Sequence, residues 1–471
     1  MPAKQAYDLV IIGSGPGGYV AAVRAAQLGM KTAVVEKDAR LGGVCLNVGC
    51  IPSKALLDAS EYYHLAVDRL AEYGVKTGKV SLDLKTMMAR KEKVVNDLTD
   101  NVRQLLEGNG IEILPGTGSL AGEGEVAVKK GKGRAKKVSA GNILLATGSR
   151  PVEVPGLEFD GRRIVDSTGA LSFDRVPEHL GIVGGGYIGL ELGSVWRRLG
   201  AKVTVIEMLP RIAALLDGQV GRSLDRLLRK QGFTFLTGTK VAGAKVKKGA
   251  VEVNVIGKDQ KEASLSFDHL LVSVGRRPLT EGLALEAAGV ETDGRTGLVT
   301  VDETYQTNIK GVYAIGDLIA GPALAHKASA EGIAAVECMA GRAGEVNYDA
   351  IPSVIYTWPE VAAVGLTEEQ VKEREIPYCV GSYPFSGAGR ARCMGEMDGF
   401  VKLIAHGKTD RILGIHIIGP RAADMIAEGV LAMEFGASSE DIARTVHGHP
   451  TFAEALQEAA LAVRKCSIYA S

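Results

Sequence analysis

The chain lacks most of the features that would set it apart from a globular enzyme. Six cysteines in 471 residues are far too few for a disulfide-stapled secreted fold. Lysine plus arginine equals aspartate plus glutamate at 55 each, so no charge excess points to nucleic acid or an anionic membrane surface as a partner. No apolar run is long enough to span a bilayer, and YDLVIIG near the N-terminus is too short. The opening MPAKQ has neither an apolar secretory region nor an Arg/Ser-rich leader. The expectation is a cytoplasmic protein, with a processed organellar one reading the same way. Aromatic residues are few, while the hydrophobic share of 46% is that of a globular protein. The length allows roughly two to four domains.

Glycine, by contrast, is abundant and ordered. Residues 7–36, YDLVIIGSGPGGYVAAVRAAQLGMKTAVVE, read as strand, glycine turn, helix and second strand. Gly13, Gly15 and Gly18 form G-x-G-x-x-G, and Glu36 ends the second strand. Residues 180–207 repeat the design with Gly184, Gly186, Gly189 and Glu207, at a gap-free offset of 171 residues. One such fingerprint is weak, but two, each with an acid 23 residues after its first glycine, imply two dinucleotide-binding units. The glycines admit a pyrophosphate close to the backbone, and the helix N-terminus offers it unpaired N–H groups and a positive dipole end. A carboxylate at the strand end takes ribose hydroxyls and repels a 2′-phosphate, which points to FAD and NAD, not NADP.

A second repeat supports the same partition. GNILLATGSRP (141–151) and DHLLVSVGRRP (268–278) align at an offset of 127 residues through Gly148 and Gly275. Each reads as a buried strand leaving its sheet, so one nucleotide-binding domain ends near 150 and the other near 280. GVYAIGD (311–317) is a further strand ending in Gly316 and Asp317, where a ribityl hydroxyl or phosphate could be held before the next helix. Residues 55–110 are helical in pattern, and KKGKGRAKK (129–137) reads as a solvated hairpin tip. After about residue 350 no fingerprint recurs, and strands alternate with helices in an α+β pattern. The fold class is α/β, with two Rossmann-like dinucleotide-binding domains and an α+β C-terminal domain.

LGGVCLNVGCIPSK (41–54) places Cys45 and Cys50 just after the first fingerprint. Zinc needs three or four ligands, and no further cysteine or histidine lies close, so no metal is expected. So short a loop gains little as a structural staple. In an ideal helix the two Cα atoms would stand roughly 8–9 Å apart, beyond bonding range. Gly49 permits the bend that brings them together, and a bond closed against local strain is a reducible one. The pair is read as one that exchanges. Pro52 fits a helix start, with Ser53 and Lys54 in the first turn. A helix N-terminus favours a thiolate, which suits Cys50 as electron donor to a neighbouring ring.

GGVCLNVGCIPSKALL, the two fingerprints, GRRPLT, YAIGD and HPTFAE together closely resemble the dihydrolipoamide dehydrogenases of the flavin disulfide reductase family. Val44 stands where that family usually has threonine. The resemblance covers essentially the whole chain. It implies an FAD domain (1–150), an NAD domain (151–280), a central domain (281–350) completing the FAD site, and a C-terminal dimerisation domain (351–471). It implies one FAD per subunit, NAD⁺ as acceptor, a homodimer, and a lipoyl-bearing acyltransferase or glycine-cleavage lipoyl protein as partner. By motif, Cys45 resembles the interchange thiol and Cys50 the charge-transfer thiol. Lys54 resembles the lysine beside flavin N5, and Glu191 of GLELG its ion-pair partner. Asp317 would hold the ribityl–phosphate region. His449 and Glu454 of HPTFAE resemble a base and its orienting acid, delivered from the other subunit. Cys338, Cys379, Cys393 and Cys466 read as buried or incidental thiols. Rival readings are a glutathione reductase, which favours a basic residue in place of Glu207, and a mercuric reductase, which carries a C-terminal cysteine pair where Cys466 stands alone. A flavoprotein scaffold is a third, separated from the enzymes by turnover of dihydrolipoamide with NAD⁺.

Overall fold

The computed structural model describes residues 6–469. They form two compact units, each assembled from separate stretches of chain. The first runs to Leu56 and takes in Asp83–Val152 and Gly275–Val346; the second takes in Leu57–Leu82, Glu153–Val274 and the chain from Asn347.

The first unit is built on a parallel sheet. Glu112–Pro115, Thr32–Glu36, Tyr7–Ile12, Lys136–Leu145 and Val312–Ala314 lie side by side, Ile12 pairing with both Val35 and Leu145. Val34 and Leu144 are fully buried, as unbroken apolar runs require when a parallel sheet is covered on both faces. Helix Pro16–Gln27 fills the crossover between the first two strands, and Gly29 beyond it turns at φ +82°. The long strand Lys136–Leu145 extends into an antiparallel hairpin with Glu125–Lys129, and 130–135 form its exposed tip. There Lys137 pairs with Glu125 at 2.7 Å, so the basic stretch is a solvated loop as expected. Residues 281–346, which the sequence places in a central domain, share the core of the first unit through Leu283, Val299 and Ala335.

The second unit repeats the architecture. Phe233–Thr237, Lys202–Glu207, His179–Val183, His269–Val272 and Ile164–Val165 form a five-stranded parallel sheet. A separate antiparallel sheet orders Ser353–Ile355, Glu360–Gly365, Ile412–Gly419, Phe400–His406 and Tyr378–Pro384. Helices Ala422–Glu434 and Glu454–Val463 pack on it and bury Ile426, Leu456 and Ala459 against Ile415 and Leu403. A buried lysine joins the two layers: Lys402 donates to Asp217 at 2.8 Å and to Glu368 at 2.6 Å, while Asp217 also caps helix Gly218–Lys230.

Candidate active site

The two glycine loops adopt one geometry. Gly13 and Gly184 have φ of +108° and +103°, and a Cβ on either would meet a carbonyl at 2.5 Å, that of Ala146 or of Ser273. A Cβ on Gly18 or Gly189 would strike the carbonyl of Gly13 or Gly184 at 2.0 or 2.5 Å, so the third glycine lets the helix close on its own turn. The second glycines differ in kind. Nothing lies within 4 Å of a Cβ built on Gly15 or Gly186, so a side chain there would fill open space above the loop. The helices that follow, Pro16–Gln27 and Tyr187–Arg198, have neither a capping side chain nor an acid in the first turn. Their first N–H groups are left for an anion.

Each strand-end acid reaches back to its own loop. Glu36 accepts the Ser14 N–H at 3.0 Å and the Ser14 hydroxyl at 2.6 Å; Glu207 accepts the Gly185 N–H at 2.6 Å and the Leu209 N–H at 2.7 Å. Ser14 and Gly185 are equivalent positions of the repeat. Two cradles of this form fit the diphosphate and ribose of a dinucleotide.

The cysteine segment is stitched to the first loop. Gly42 donates its N–H to the Ser14 carbonyl at 3.0 Å, and a Cβ on Gly43 would stand 2.7 Å from the Gly15 Cα. Gly42 and Gly43 have φ of +92° and +59°, which lets the chain turn straight into helix Gly43–Val48 carrying Cys45. That helix stops at Gly49, whose ψ of −113° leaves the helical region, and a new helix begins at Cys50. The sequence places this start at Pro52, but proline is tolerated within the first turn because the N–H it lacks has no helical acceptor there. The break at Gly49 cancels the separation that a continuous helix would impose, and the Cys45 thiol is hydrogen-bonded to Cys50. That bond, then burial and the Cys50 charge, push the Cys45 thiol far up, while the Cys50 N–H and the Lys54 ammonium pull the other way. Cys45 is half-buried and Cys50 exposed.

Gly49 is required on steric grounds, since a Cβ there would meet the Val44 carbonyl at 2.9 Å and the Cys45 Cα at 3.3 Å. Gly49→Ala is expected to cost about 1–3 kcal/mol and to move the thiols apart. Chemical denaturation, and the rate at which the oxidised pair is reduced by a small dithiol, measure both effects.

Asp317 follows strand Val312–Ala314 in the short turn Gly316–Leu318, and its carboxylate accepts the Ser149 hydroxyl. Ser149 is in turn held by Arg276, whose Nε donates to the hydroxyl and Nη2 to the carbonyl, both at 2.7 Å. Gly148 and Gly275, at φ +74° and +134°, launch the two short strands that carry Ser149 and Arg276. Ser149 and Arg276 escape a motif search because each is one polar residue in a Gly-x-Arg-Pro or Gly-Arg-Arg-Pro exit. Their pairing across 127 positions was the available signal.

In the second unit His449 Nδ1 lies 2.8 Å from Glu454 Oε1, and Glu454 Oε2 accepts the Thr451 N–H at 2.7 Å. Burial raises the Glu454 carboxyl, but the bonds from His449 and Thr451 outweigh it and hold the group below its ordinary value. The His449 side chain is 77% exposed. His447 is different in kind, tied at 2.8 Å to both the Thr445 carbonyl and Glu428. Glu191 lies on the buried face of helix Tyr187–Arg198 and accepts the Tyr356 N–H at 3.0 Å. Among the remaining cysteines, Cys379, Cys393 and Cys466 are exposed, contrary to a buried packing role; Cys379 lies on an edge strand, Cys393 ends a short helix and Cys466 follows the helix Glu454–Val463.

Two dinucleotide cradles, one flanked by a thiol pair in mutual contact, define a nucleotide-linked disulfide oxidoreductase. The chain matches the pyridine nucleotide-disulphide oxidoreductase family over residues 7–332 and that family's dimerisation domain over 351–460, and it belongs to that family. It is 51% identical to a mitochondrial dihydrolipoyl dehydrogenase of Caenorhabditis elegans, over 97% of this chain and 92% of the relative. It is 49% identical to a dihydrolipoamide dehydrogenase of Chaetomium thermophilum, over 98% of this chain and 92% of the relative. Among solved structures, LpdA from Mycobacterium tuberculosis superposes with a TM-score of 0.88 at 25% identity, over 96% of this chain and 98% of the other. The HOCl-induced flavoprotein disulfide reductase RclA of Escherichia coli superposes at 0.85 and 28% identity, over 96% and 99% of the two chains. Enzymes of this family use FAD and NAD. Among the described residues no helix is long and apolar enough to cross a membrane.

Proposed function

We propose that the chain oxidises protein-bound dihydrolipoyl groups to lipoyl groups with NAD⁺ as acceptor. The observation that carries this reading is the Cys45–Cys50 contact at the Gly49 break, on a segment stitched to the first glycine loop. In the oxidised enzyme Cys45 and Cys50 share a disulfide. A substrate thiolate attacks Cys45, forming a mixed disulfide and releasing Cys50 as thiolate; the second substrate thiol then displaces Cys45 and closes the lipoyl ring. Two electrons and the sulfur–sulfur bond have changed places, and the enzyme holds the dithiol. Bound FAD would supply the two-electron relay from that dithiol to NAD⁺, with NADH and a proton as the balancing products.

A substrate dithiol of ordinary pKa is only a few per cent thiolate near neutral pH, so attack needs a base. His449 is that base. Glu454 accepts a hydrogen bond from Nδ1–H and so leaves Nε2 free to accept a proton. Its exposure in the dimerisation domain suits delivery to the thiol pair of a second subunit, which makes the working enzyme a homodimer. Gly13, Gly15, Gly18, Glu36, Lys54, Gly148, Gly316 and Asp317 would hold FAD. Gly184, Gly186, Gly189, Glu207 and Gly275 would hold NAD. The partner is a lipoyl-bearing acyltransferase component or the glycine-cleavage lipoyl protein. A cytoplasmic location belongs to the same reading, supported by thiols that call for a reducing compartment.

The deciding measurement is absorbance of the purified protein titrated with dihydrolipoamide and then NAD⁺, with stoichiometric NADH as the expected product; no NADH from FAD-loaded protein overturns the reading. For nucleotide choice, Glu207→Ala with Met208→Arg should shift kcat/KM towards NADPH by about tenfold, because the carboxylate that repels a 2′-phosphate is replaced by a cation. An unchanged NADPH/NADH ratio would remove Glu207 from the ribose.

A further inference from the structure

Helix Ala325–Met339 carries a buried ion pair that the chemistry above does not use. Lys327 and Glu331 have fully buried side chains and approach to 3.0 Å. They close on a single residue: Lys327 Nζ donates to the Gly316 carbonyl at 2.9 Å, and Glu331 Oε2 accepts the Gly316 N–H at 2.7 Å. Gly316 sits at φ +70°, a conformation that a side chain would strain. The next residue is Asp317. The same helix meets Pro16–Gln27 at backbone contact, since a Cβ on Gly332 would stand 2.6 Å from the Gly17 carbonyl. One helix thus touches both the glycine-loop helix and the turn that bears Asp317.

A buried ion pair is a poor source of stability, because desolvation offsets the attraction and well-packed apolar residues commonly do as well. Its value here lies in what it holds. We propose that Lys327 and Glu331 are positioning residues for the FAD seat. They engage both backbone polar groups of Gly316, fix its left-handed turn, and so aim Asp317 towards a dinucleotide on the first glycine loop. The inference rests on the reading of that loop as the FAD site.

Lys327→Met alone strands a buried carboxylate and risks misfolding, so the working variant pairs Lys327→Met with Glu331→Gln. The double substitution is neutral; the introduced amide keeps an acceptor for the Gly316 N–H, while the Gly316 carbonyl loses its donor. In apo-protein titrated with FAD and followed by flavin fluorescence, Kd should rise about tenfold, with the apo-protein melting within a few degrees of wild type. In a cycle with Asp317→Asn the two losses should be strongly non-additive, since both act through one turn. A Kd within twofold of wild type, or additive losses, overturns the proposal. Amide exchange at Gly316 in wild-type protein requires no variant: protection in both apo and FAD-loaded forms is expected, and free exchange in the apo-protein overturns a preformed clamp. Wild-type protein that binds no FAD overturns the loop reading as well, whereas normal wild-type binding with an unaltered variant overturns the clamp alone.

Discussion

Cys45→Ser leaves a folded, FAD-binding protein whose oxidation of dihydrolipoamide by NAD⁺ falls on the order of a thousandfold or more. The substitution removes one sulfur and changes little volume at a half-buried position, so its structural cost is small. The chemical cost is total for this route. A serine oxygen cannot form the bond that a substrate thiolate must attack, and the remaining thiol has no partner from which to be displaced. Cys50→Ser should fail as completely but at a different point. Cys45 then survives as a thiol with no second sulfur to bond to, and no oxidised enzyme exists for substrate to reduce. Reduction of an artificial acceptor by NADH needs no enzyme disulfide and should survive in both variants. That pattern separates loss of exchange from loss of cofactor. Substantial lipoamide turnover in either variant would take the cysteines out of the mechanism. Residual activity with the artificial acceptor alone would leave them in place.

The parts of the site that were legible in the sequence are those whose chemistry imposes a spacing. A glycine loop must put its first, second and third glycines at fixed positions to turn, to stay open and to pack, so Gly13, Gly15 and Gly18 announce themselves. Their repetition at Gly184, Gly186 and Gly189 removes chance. Cys45 and Cys50 are visible for the same reason, with Gly49 between them. Asp317 was legible as a strand-end acid, but its support was not. Lys327 and Glu331 are four residues apart in an alanine-rich helix, a pattern that commonly marks a solvated surface pair. Nothing local says that the helix is covered on that side, because its cover comes from Gly17 and from the Gly316 turn. The assembly of each unit from distant stretches was hidden in the same way. Val312–Ala314 joins the first sheet beside Lys136–Leu145, and a three-residue apolar strand carries no information about its neighbour. Local periodicity reports elements, whereas the burial of charge reports contacts that only the folded chain creates.

His449→Gln should lower kcat/KM for dihydrolipoamide by about a hundredfold to ten-thousandfold, the usual worth of a positioned base, and should barely change reduction of an artificial acceptor. Glu454 sharpens the test. Its carboxyl lies below its ordinary value, so it is an anion throughout the working range and accepts a hydrogen bond from Nδ1–H. In Glu454→Gln the Thr451 N–H still claims an oxygen, which turns the amide NH₂ towards Nδ1. The ring must then carry its proton on Nε2, where the base should be free, and activity should fall nearly as far as in His449→Gln with the fold intact. The last step concerns which thiol pair the base serves. Homodimers of Cys45→Ser and of His449→Gln are each inactive. If the histidine acts on the other subunit, a mixed dimer has one site with both a sound pair and a sound base, and equal mixing with full subunit exchange should restore about a quarter of wild-type turnover. If the histidine serves its own subunit, every site in the mixture lacks one or the other and no activity returns.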